Sequence, residues 1–429
     1  MKKCIIIGGG FSGLSSAAYL SESGFKVTLL ESSPKLGGRA YSFKDEETGS
    51  AIDNGQHILM GCYNFTLDFF KLIGAEKNLE FQKRLKLIFL KEKFEHYPLT
   101  APDIPYPVNL LFALIGYKAF SAEDKLRILS FFSKLALYSN KDLEKMTVEE
   151  WLLKENQSEN SMITFWDILV AGALNTDKKK ACAKILADIL KQIFFRGNKA
   201  ATILIPKFGL SETYCNDAEN FIVSRGGEIC YGETVNELIS SGMKISEIVT
   251  SGRTFKDFDF VISSVPLYAF NRMVMNKKLK IDLDLEYSPI LTVHFWMKEN
   301  PLKETFYGLI GSPVHWVFNH GKHITIVISN AGYLMNEEKD YIFNLTTDEI
   351  EKYLPIKKND VLSFKIIKEK RATFIASDTV IKKRPYAVTG FDNLVLAGDW
   401  TNTGLPSTIE GAVKSGKTAA DIIISKSLK

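Results

Sequence analysis

The chain opens on an unbroken apolar run, Cys4-Ile5-Ile6-Ile7, which predicts a parallel strand buried on both faces. A glycine-rich turn follows, Gly8-Gly9-Gly10-Phe11-Ser12-Gly13. Small residues from Ser15 to Ala18 then predict a slim helix that Gly24 ends, and Lys26 to Leu30 predicts the next parallel strand. From about Tyr97 to Ala200 the periodicity becomes helical. Pro98, Pro102, Pro105 and Pro107 break regular structure at its start, and Val108 to Tyr117 is strongly apolar. Ser121 with Asp124, and Thr147 with Glu150, have the spacing of capping boxes. Between them Leu126, Ile128, Leu129, Phe131, Phe132, Leu135 and Leu137 alternate with Lys125, Arg127 and Lys134. That stripe fits a core helix or one docked on a membrane surface.

Ala201 to Ile205 predicts a strand that returns the chain to the first unit. Asp259 to Pro266 predicts another, ending in small residues. From Ile290 to Asn330 the rhythm shortens. Leu291–Trp296, His315–Phe318 and Ile324–Ile328 read as strands of an antiparallel sheet, with His320-Gly321 as a hairpin turn. Thr346 to Glu349 has the spacing to cap a short helix ending at Pro355, and Lys368 to Phe374 follows a strand. Asn393 to Ala397 predicts a last parallel strand. A closing helix from Pro406 buries Val413, Ala419, Ala420, Ile423 and Ile424. The fold class is therefore α/β. A discontinuous Rossmann-like nucleotide-binding domain spans 1–96, 201–266 and 385–429, with a helical cap at 97–200 and an antiparallel-sheet substrate domain at 267–384.

The first motif carries chemistry. Gly8 permits the tight turn, Gly10 lets the backbone approach a pyrophosphate, and Gly13 lets the helix lie close on the sheet. Glu31 ends the second strand 18 residues after Gly13, where a carboxylate accepts hydrogen bonds from ribose hydroxyls and repels a 2′-phosphate. Beyond Ser32 come Gly37, Gly38 and Arg39, a loop with a planar donor fork for phosphate oxygens. Next, Asp53, Asn54, Gln56 and His57 crowd around Gly55 between apolar segments. Such a cluster is costly to bury unless hydrogen-bonded, so it belongs to a polar part of a site.

Bulk properties narrow the rest. A chain of 429 residues makes about two domains. A net charge of +4 with 24% charged residues implies no nucleic-acid partner. Five scattered cysteines without a CxxC read as reduced thiols of a cytosolic protein, and neither they nor the six histidines have metal-ligand spacing. The N-terminus lacks the apolar length and cleavage site of a signal peptide, and no stretch approaches a spanning helix. The 29 phenylalanines suit a large apolar cavity or a greasy surface.

Leu36-Gly37-Gly38-Arg39-Ala40 after a βαβ unit is characteristic of flavoproteins related to amine oxidases and phytoene desaturases. With Asp53-Asn54-Gly55-Gln56-His57, and with Gly398-Asp399-Trp400 through Ala412, the chain resembles the hydroxysqualene dehydroxylases. The resemblance covers nearly the whole chain and is strongest at the two ends. It implies an FAD-binding domain of amine-oxidase type. FAD contacts would come from Gly8, Gly10, Phe11, Ser12, Gly13, Glu31, Ser32, Gly38, Arg39, Gly55, Val235, Gly398, Asp399, Ile409, Gly411 and Ala412. The amides that open the last helix would face the flavin pyrimidine ring.

The resemblance also implies a C30 isoprenoid substrate and reductive removal of a hydroxyl from hydroxysqualene to give squalene. His57 or Asp53 would assist the departing hydroxide, with Asn54 and Gln56 orienting it. Two other readings stand beside this one: a carotenoid-type desaturase or amine oxidase on the same scaffold, and a non-enzymatic prenyl-lipid carrier. Trp400 to Ala412 holds no cysteine for a covalent flavin tether, and intact Gly8, Gly10, Gly13, Glu31 and Asp399 argue against the carrier. No nicotinamide domain is legible, so electrons come from free NAD(P)H or from a partner. The expected location is cytoplasmic, either free or peripheral on the inner face of the plasma membrane.

Overall fold

The computed structural model describes residues 1–428. Strand β1 (Lys3–Ile7), helix α1 (Phe11–Glu22) and strand β2 (Lys26–Glu31) form the opening βαβ unit. Both strands join a five-stranded sheet with the order Glu228–Tyr231, β2, β1, Phe260–Ser263, Leu394–Leu396. Every neighbouring pair is parallel. Parallel pairing requires crossovers that cover both faces, and these strands are accordingly almost wholly apolar.

The C-terminal helix, Ile409–Ser427, lies against α1. Small residues set that approach. Ser16 donates to the Gly416 carbonyl at 3.1 Å and Ser15 to that of Val413 at 3.4 Å. A Cβ on Gly416 would fall 2.1 Å from Ser15 Oγ and 2.3 Å from the Ser12 carbonyl. The two ends of the chain are therefore in backbone contact.

The second layer is a seven-stranded sheet with the order Val361–Phe374, Tyr287–Met297, His323–Ile328, Trp316–Asn319, Phe306–Leu309, Lys86–Lys91, Glu95–Thr100. It is antiparallel apart from the pairing of Phe306–Leu309 with Lys86–Lys91. The hairpin turn at His320-Gly321 forms as the sequence indicates: Gly321 has φ +71°, and His320 N donates to the His323 carbonyl at 3.0 Å. One face, including Val293, Phe295, Ile324 and Ile326, packs on Ile342, Ile350 and Tyr353 of helix Lys339–Tyr353.

Three sequence expectations change. Strand Lys86–Lys91, from the segment given to the nucleotide unit, and edge strand Glu95–Thr100, which straddles the expected boundary at 96/97, both join this second sheet. Pro98 does not break regular structure there, because the strand Glu95–Thr100 holds it at a sheet edge. Thr346 and Thr347 do not cap a helix; they lie buried inside one that starts at Lys339. Their hydroxyls donate to the carbonyls of Ile342 and Phe343, both at 2.8 Å, which is how threonine is accommodated mid-helix. Lys368 to Phe374 is not a tail after a strand but the end of the 14-residue strand Val361–Phe374.

The cap region is helical beyond Thr100, and both capping boxes form. Helix Ala122–Lys134 buries Ile128, Phe131 and Phe132 beneath Trp151 and Trp166, so it is a core helix.

Candidate active site

The glycine-rich turn is built for close approach. Gly8 has φ +101°, which L-side chains rarely adopt, and its N–H donates to the Leu30 carbonyl at 2.8 Å. A Cβ on Gly13 would lie 1.9 Å from the Gly8 carbonyl, so only glycine lets α1 start where it does. Phe11 turns its ring into the core, stacked on Tyr214 at 3.9 Å between centroids, and offers a ligand only its backbone. Ser12 is buried, and its carbonyl accepts from Ser15 and Ser16.

Glu31 is held ready at the end of β2. Its oxygens accept from Gly9 N at 2.6 Å, Ser33 N at 2.7 Å and Ser32 Oγ at 3.3 Å. Val235 follows a short run tied to the same place, where Glu233 N donates to the Glu31 carbonyl at 2.9 Å. Glu31, Ser32 and Val235 are thus brought together.

The second loop closes over the first. Gly37 N donates to the Gly9 carbonyl at 2.9 Å, and a Cβ on Gly38 would meet Gly10 Cα at 3.2 Å. Arg39 then reaches across to the C-terminal part. Its Nη2 contacts Asp399 Oδ1 at 2.6 Å, and its Nη1 donates to the Ala372 carbonyl at 3.1 Å. Burial opposes ionisation of Asp399, but Arg39, Ser407 and Arg384 outweigh it and hold the carboxyl below its ordinary range. Gly398 N is held by Ser415 Oγ at 2.8 Å.

At the C-terminal helix, Thr408 caps Gly411 N at 3.1 Å, and a Cβ on Gly411 would fall 2.8 Å from the Pro406 carbonyl. The amides of Ile409 and Glu410, first in the helix, have no intrahelical partner. The Glu410 carboxylate does not cancel that positive end. It points away and accepts from Phe65 N at 3.0 Å, Thr66 N at 2.9 Å and Thr66 Oγ1 at 2.7 Å. Asp399 is therefore tied to Arg39, far away in sequence, and Ser407, donating to its other oxygen, links it to the loop that opens the C-terminal helix.

The residues around Gly55 lie across the free face of the second sheet. His294 Nε2 bonds the Asp53 carbonyl at 3.1 Å and its Nδ1 bonds Thr325 Oγ1 at 2.9 Å. His320 Nε2 bonds Gln56 Oε1 at 2.9 Å. Asp53 Oδ1 accepts from Ser42 Oγ at 2.6 Å and Leu210 N at 3.0 Å; burial pushes its pKa up against those two bonds. Asn54 is buried, with Oδ1 on Tyr41 N at 3.1 Å and Nδ2 on the Arg39 carbonyl at 3.0 Å. It shapes the Arg39 loop and has both amide atoms engaged.

His57 makes no side-chain hydrogen bond among the described residues, and burial pushes its imidazole down to about 4, so it is neutral at pH 7. Beside it, the buried Thr292 hydroxyl has no partner. A Cβ on Gly55 would sit 3.8 Å from Thr292 Oγ1 and 3.9 Å from His57 Nε2, so the two polar groups border the same small space. On this face of the sheet an apolar cluster of Ile203, Phe306, Phe318 and Val327, edged by Ile58, Leu87 and Trp316, continues away from them.

Sequence reasoning missed three groups. Arg384, in a run that reads as surface charge, is only 3% exposed. It donates to the carbonyls of Leu405 and Asp399 at 2.6 Å each, to that of Thr401, and to Thr403 Oγ1 at 2.8 Å, fixing the loop after Asp399. Thr292 and His294 sit on alternate positions of a strand whose pattern could have marked them as sharing a face.

The cradle suits a dinucleotide whose pyrophosphate lies on the Gly8–Gly13 turn, whose ribose meets Glu31, and whose far end meets the C-terminal helix. Side chains are excluded where such a ligand must pass, and unpaired amides are supplied where it carries negative charge. The chain belongs to the family of flavin-containing amine oxidoreductases, which matches residues 11–424, and its cofactor is FAD. Within that group it belongs with the hydroxysqualene dehydroxylases. It is 30% identical to the hydroxysqualene dehydroxylase of Zymomonas mobilis, covering 98% of this chain and 99% of the relative. It is 29% identical to that of Rhodopseudomonas palustris, covering 98% and 97%. The 15-cis-phytoene desaturase of Synechococcus elongatus stands further off at 23%, covering 98% and 95%. An oxidoreductase from Methanosarcina mazei shares the fold, with a TM-score of 0.74 and 19% identity over 98% of this chain and 100% of that one.

Proposed function

We propose that this FAD-dependent oxidoreductase acts on a C30 isoprenoid and reductively dehydroxylates hydroxysqualene to squalene. In the balanced reaction a C–O bond is replaced by C–H, using two electrons and two protons overall, and water leaves. FAD, when bound and reduced by an external two-electron donor, would supply those electrons at the hydride level. Gly8, Gly10, Gly13, Glu31, Arg39, Asp399 and the first amides of the C-terminal helix would hold it.

The observation that carries the reading is the pairing of two unpartnered polar groups, His57 and Thr292, with an aromatic-rich apolar layer on one sheet face. The departing hydroxyl would be hydrogen-bonded by His57 Nε2 and Thr292 Oγ1. His57 or Asp53 would assist its departure, while Gln56 and Asn54 hold the loop in register. Phe306, Phe318 and Trp316 would shield allylic cation character with their ring faces. Supplying hydroxysqualene, reductant and FAD to the purified protein and analysing the product tests this. Squalene is the expected product; a product with added double bonds would mean a desaturase. Full turnover in both His57→Ala and Asp53→Asn, with FAD bound, would remove those two residues from the chemistry.

A further inference from the structure

Helix Val108–Gly116 is apolar on every side apart from the buried Asn109. Its inner face, Leu110, Ala113 and Leu114, packs into the largest core cluster. Its outer face presents Val108, Leu111, Phe112 and Ile115, spaced i, i+3, i+4, i+7, at 37–52% exposure. No charged residue lies between Ile104 and Tyr117. A helix that is hydrophobic all round is ordinarily buried, so this outer stripe lacks a partner. Helix Ala122–Lys134 differs: its exposed positions are mostly polar, Glu123, Ser130, Ser133 and Lys134, and Leu126 stands among them without an apolar stripe.

The stripe is enlarged from a second direction. Asn109 Nδ2 donates to Asn198 Oδ1 at 2.8 Å, and the Tyr106 hydroxyl donates to the Phe194 carbonyl. These bonds set the helix beside exposed Phe195, and exposed Ile104 extends the patch at its other end. Exposed Lys118, Arg196 and Lys199 border it, against a single acid, Asp103. The patch also adjoins the proposed substrate region. The strand preceding it ends at Thr100 and pairs Leu99 with Leu87, while Asn198 lies shortly before Ile203. Leu87 and Ile203 both belong to the apolar layer of the site.

We propose that this face seats on an anionic lipid bilayer, with Val108, Leu111, Phe112, Ile115 and Phe195 in the acyl boundary and Lys118, Arg196 and Lys199 on the headgroups. Bilayer contact there would bring an apolar substrate to the layer of the site without crossing water; this part rests on the proposed isoprenoid reading. No helix among the described residues is long and apolar enough to cross a membrane, so the contact is with one leaflet.

The test is cosedimentation of the FAD-bound full chain with vesicles of equal parts phosphatidylcholine and phosphatidylglycerol, in the absence of substrate. The wild type should pellet with them, and less so at high salt or with pure phosphatidylcholine. Leu111→Ser with Phe112→Ser should weaken partitioning at least about tenfold while leaving flavin content unchanged. Arg196→Ala with Lys199→Ala, which disturbs no core side chain, should remove the preference for the anionic lipid. Wild-type protein that stays in the supernatant, or a serine variant that pellets equally, overturns the proposal. So does a wild-type dimer that the serine variant splits without any vesicle binding, since a second copy would then be the occupant. Binding is read without turnover, so failure of the reaction assay and failure of docking remain distinguishable.

Discussion

Replacing Arg384 by methionine should loosen the C-terminal half of the cofactor site without touching a flavin-facing residue. The guanidinium is buried, is pushed down to about 10 by that burial while Asp399 pulls it back up, and stays charged at neutral pH. It satisfies the carbonyls of Asp399, Thr401 and Leu405 and the Thr403 hydroxyl. Methionine fills much of the volume but leaves those acceptors unpaired, a loss of about 3–5 kcal/mol. At about 2.1 cal/mol/K per residue, unfolding 429 residues carries about 0.9 kcal/mol/K, so Tm should fall by about 3–6 °C.

The apo loop can relax where the FAD-bound loop cannot. Each 1.4 kcal/mol so relieved weakens FAD binding about tenfold. Lysine keeps the charge, but one ammonium cannot span three carbonyls, so Arg384→Lys should fall between. Thermal unfolding with and without added FAD, and titration of apoprotein with FAD, read both quantities. Wild-type Tm together with wild-type FAD affinity in Arg384→Met would refute the argument.

Gly416→Val should separate the two ends of the chain, because its Cβ meets the Ser12 carbonyl at 2.3 Å; about 1–3 kcal/mol of stability and most bound flavin should go, as read by Tm and visible absorbance. Thr292→Val should keep or raise Tm, since an unpaired buried hydroxyl is removed, yet lower turnover on hydroxysqualene; a fall in Tm with full turnover would make that hydroxyl structural. Acid should destabilise the fold through buried histidines. His294, pushed down to about 3, and His323, pushed down to about 4, are neutral when folded, whereas an unfolded imidazole titrates at about 6.5. Between those values the unfolded state binds more protons, so their contribution is complete above about 6.5 and is lost as pH falls toward about 4 for His323 and about 3 for His294. Each costs up to about 1.4 kcal/mol per pH unit. Urea midpoints at about pH 7 and about pH 5 should differ accordingly, and His294→Gln should flatten the difference.

The parts legible in the sequence were those where one local rule dominates. The Gly8–Gly13 turn, the strand ending at Glu31 and the capping boxes at Ser121 and Thr147 each depend on residues within a few positions. The hairpin at Gly321 is equally local. What the sequence left hidden is long-range. Nothing in Lys382-Lys383-Arg384 distinguishes the buried arginine from its exposed neighbour lysines. Lys86–Lys91 gives no hint that it will pair with Phe306–Leu309 across most of the chain. Thr346 and Thr347 carry the residue types of a cap, and only tertiary burial keeps them mid-helix. At the site, sequence drew attention to the polar cluster around Gly55 but could not divide the labour within it. Asn54 turns inward to the backbone, and Thr292 comes to the space beside His57 from the distant strand Tyr287–Met297.

The flavin content of the purified, untreated chain tests most directly whether both ends of the polypeptide build one cofactor site. The account predicts a yellow protein that releases FAD, not FMN or NAD, in equal amount to chain when denatured, and that loses it in Gly416→Val. A colourless protein that takes up no FAD on refolding would contradict it, as would full flavin content in that variant.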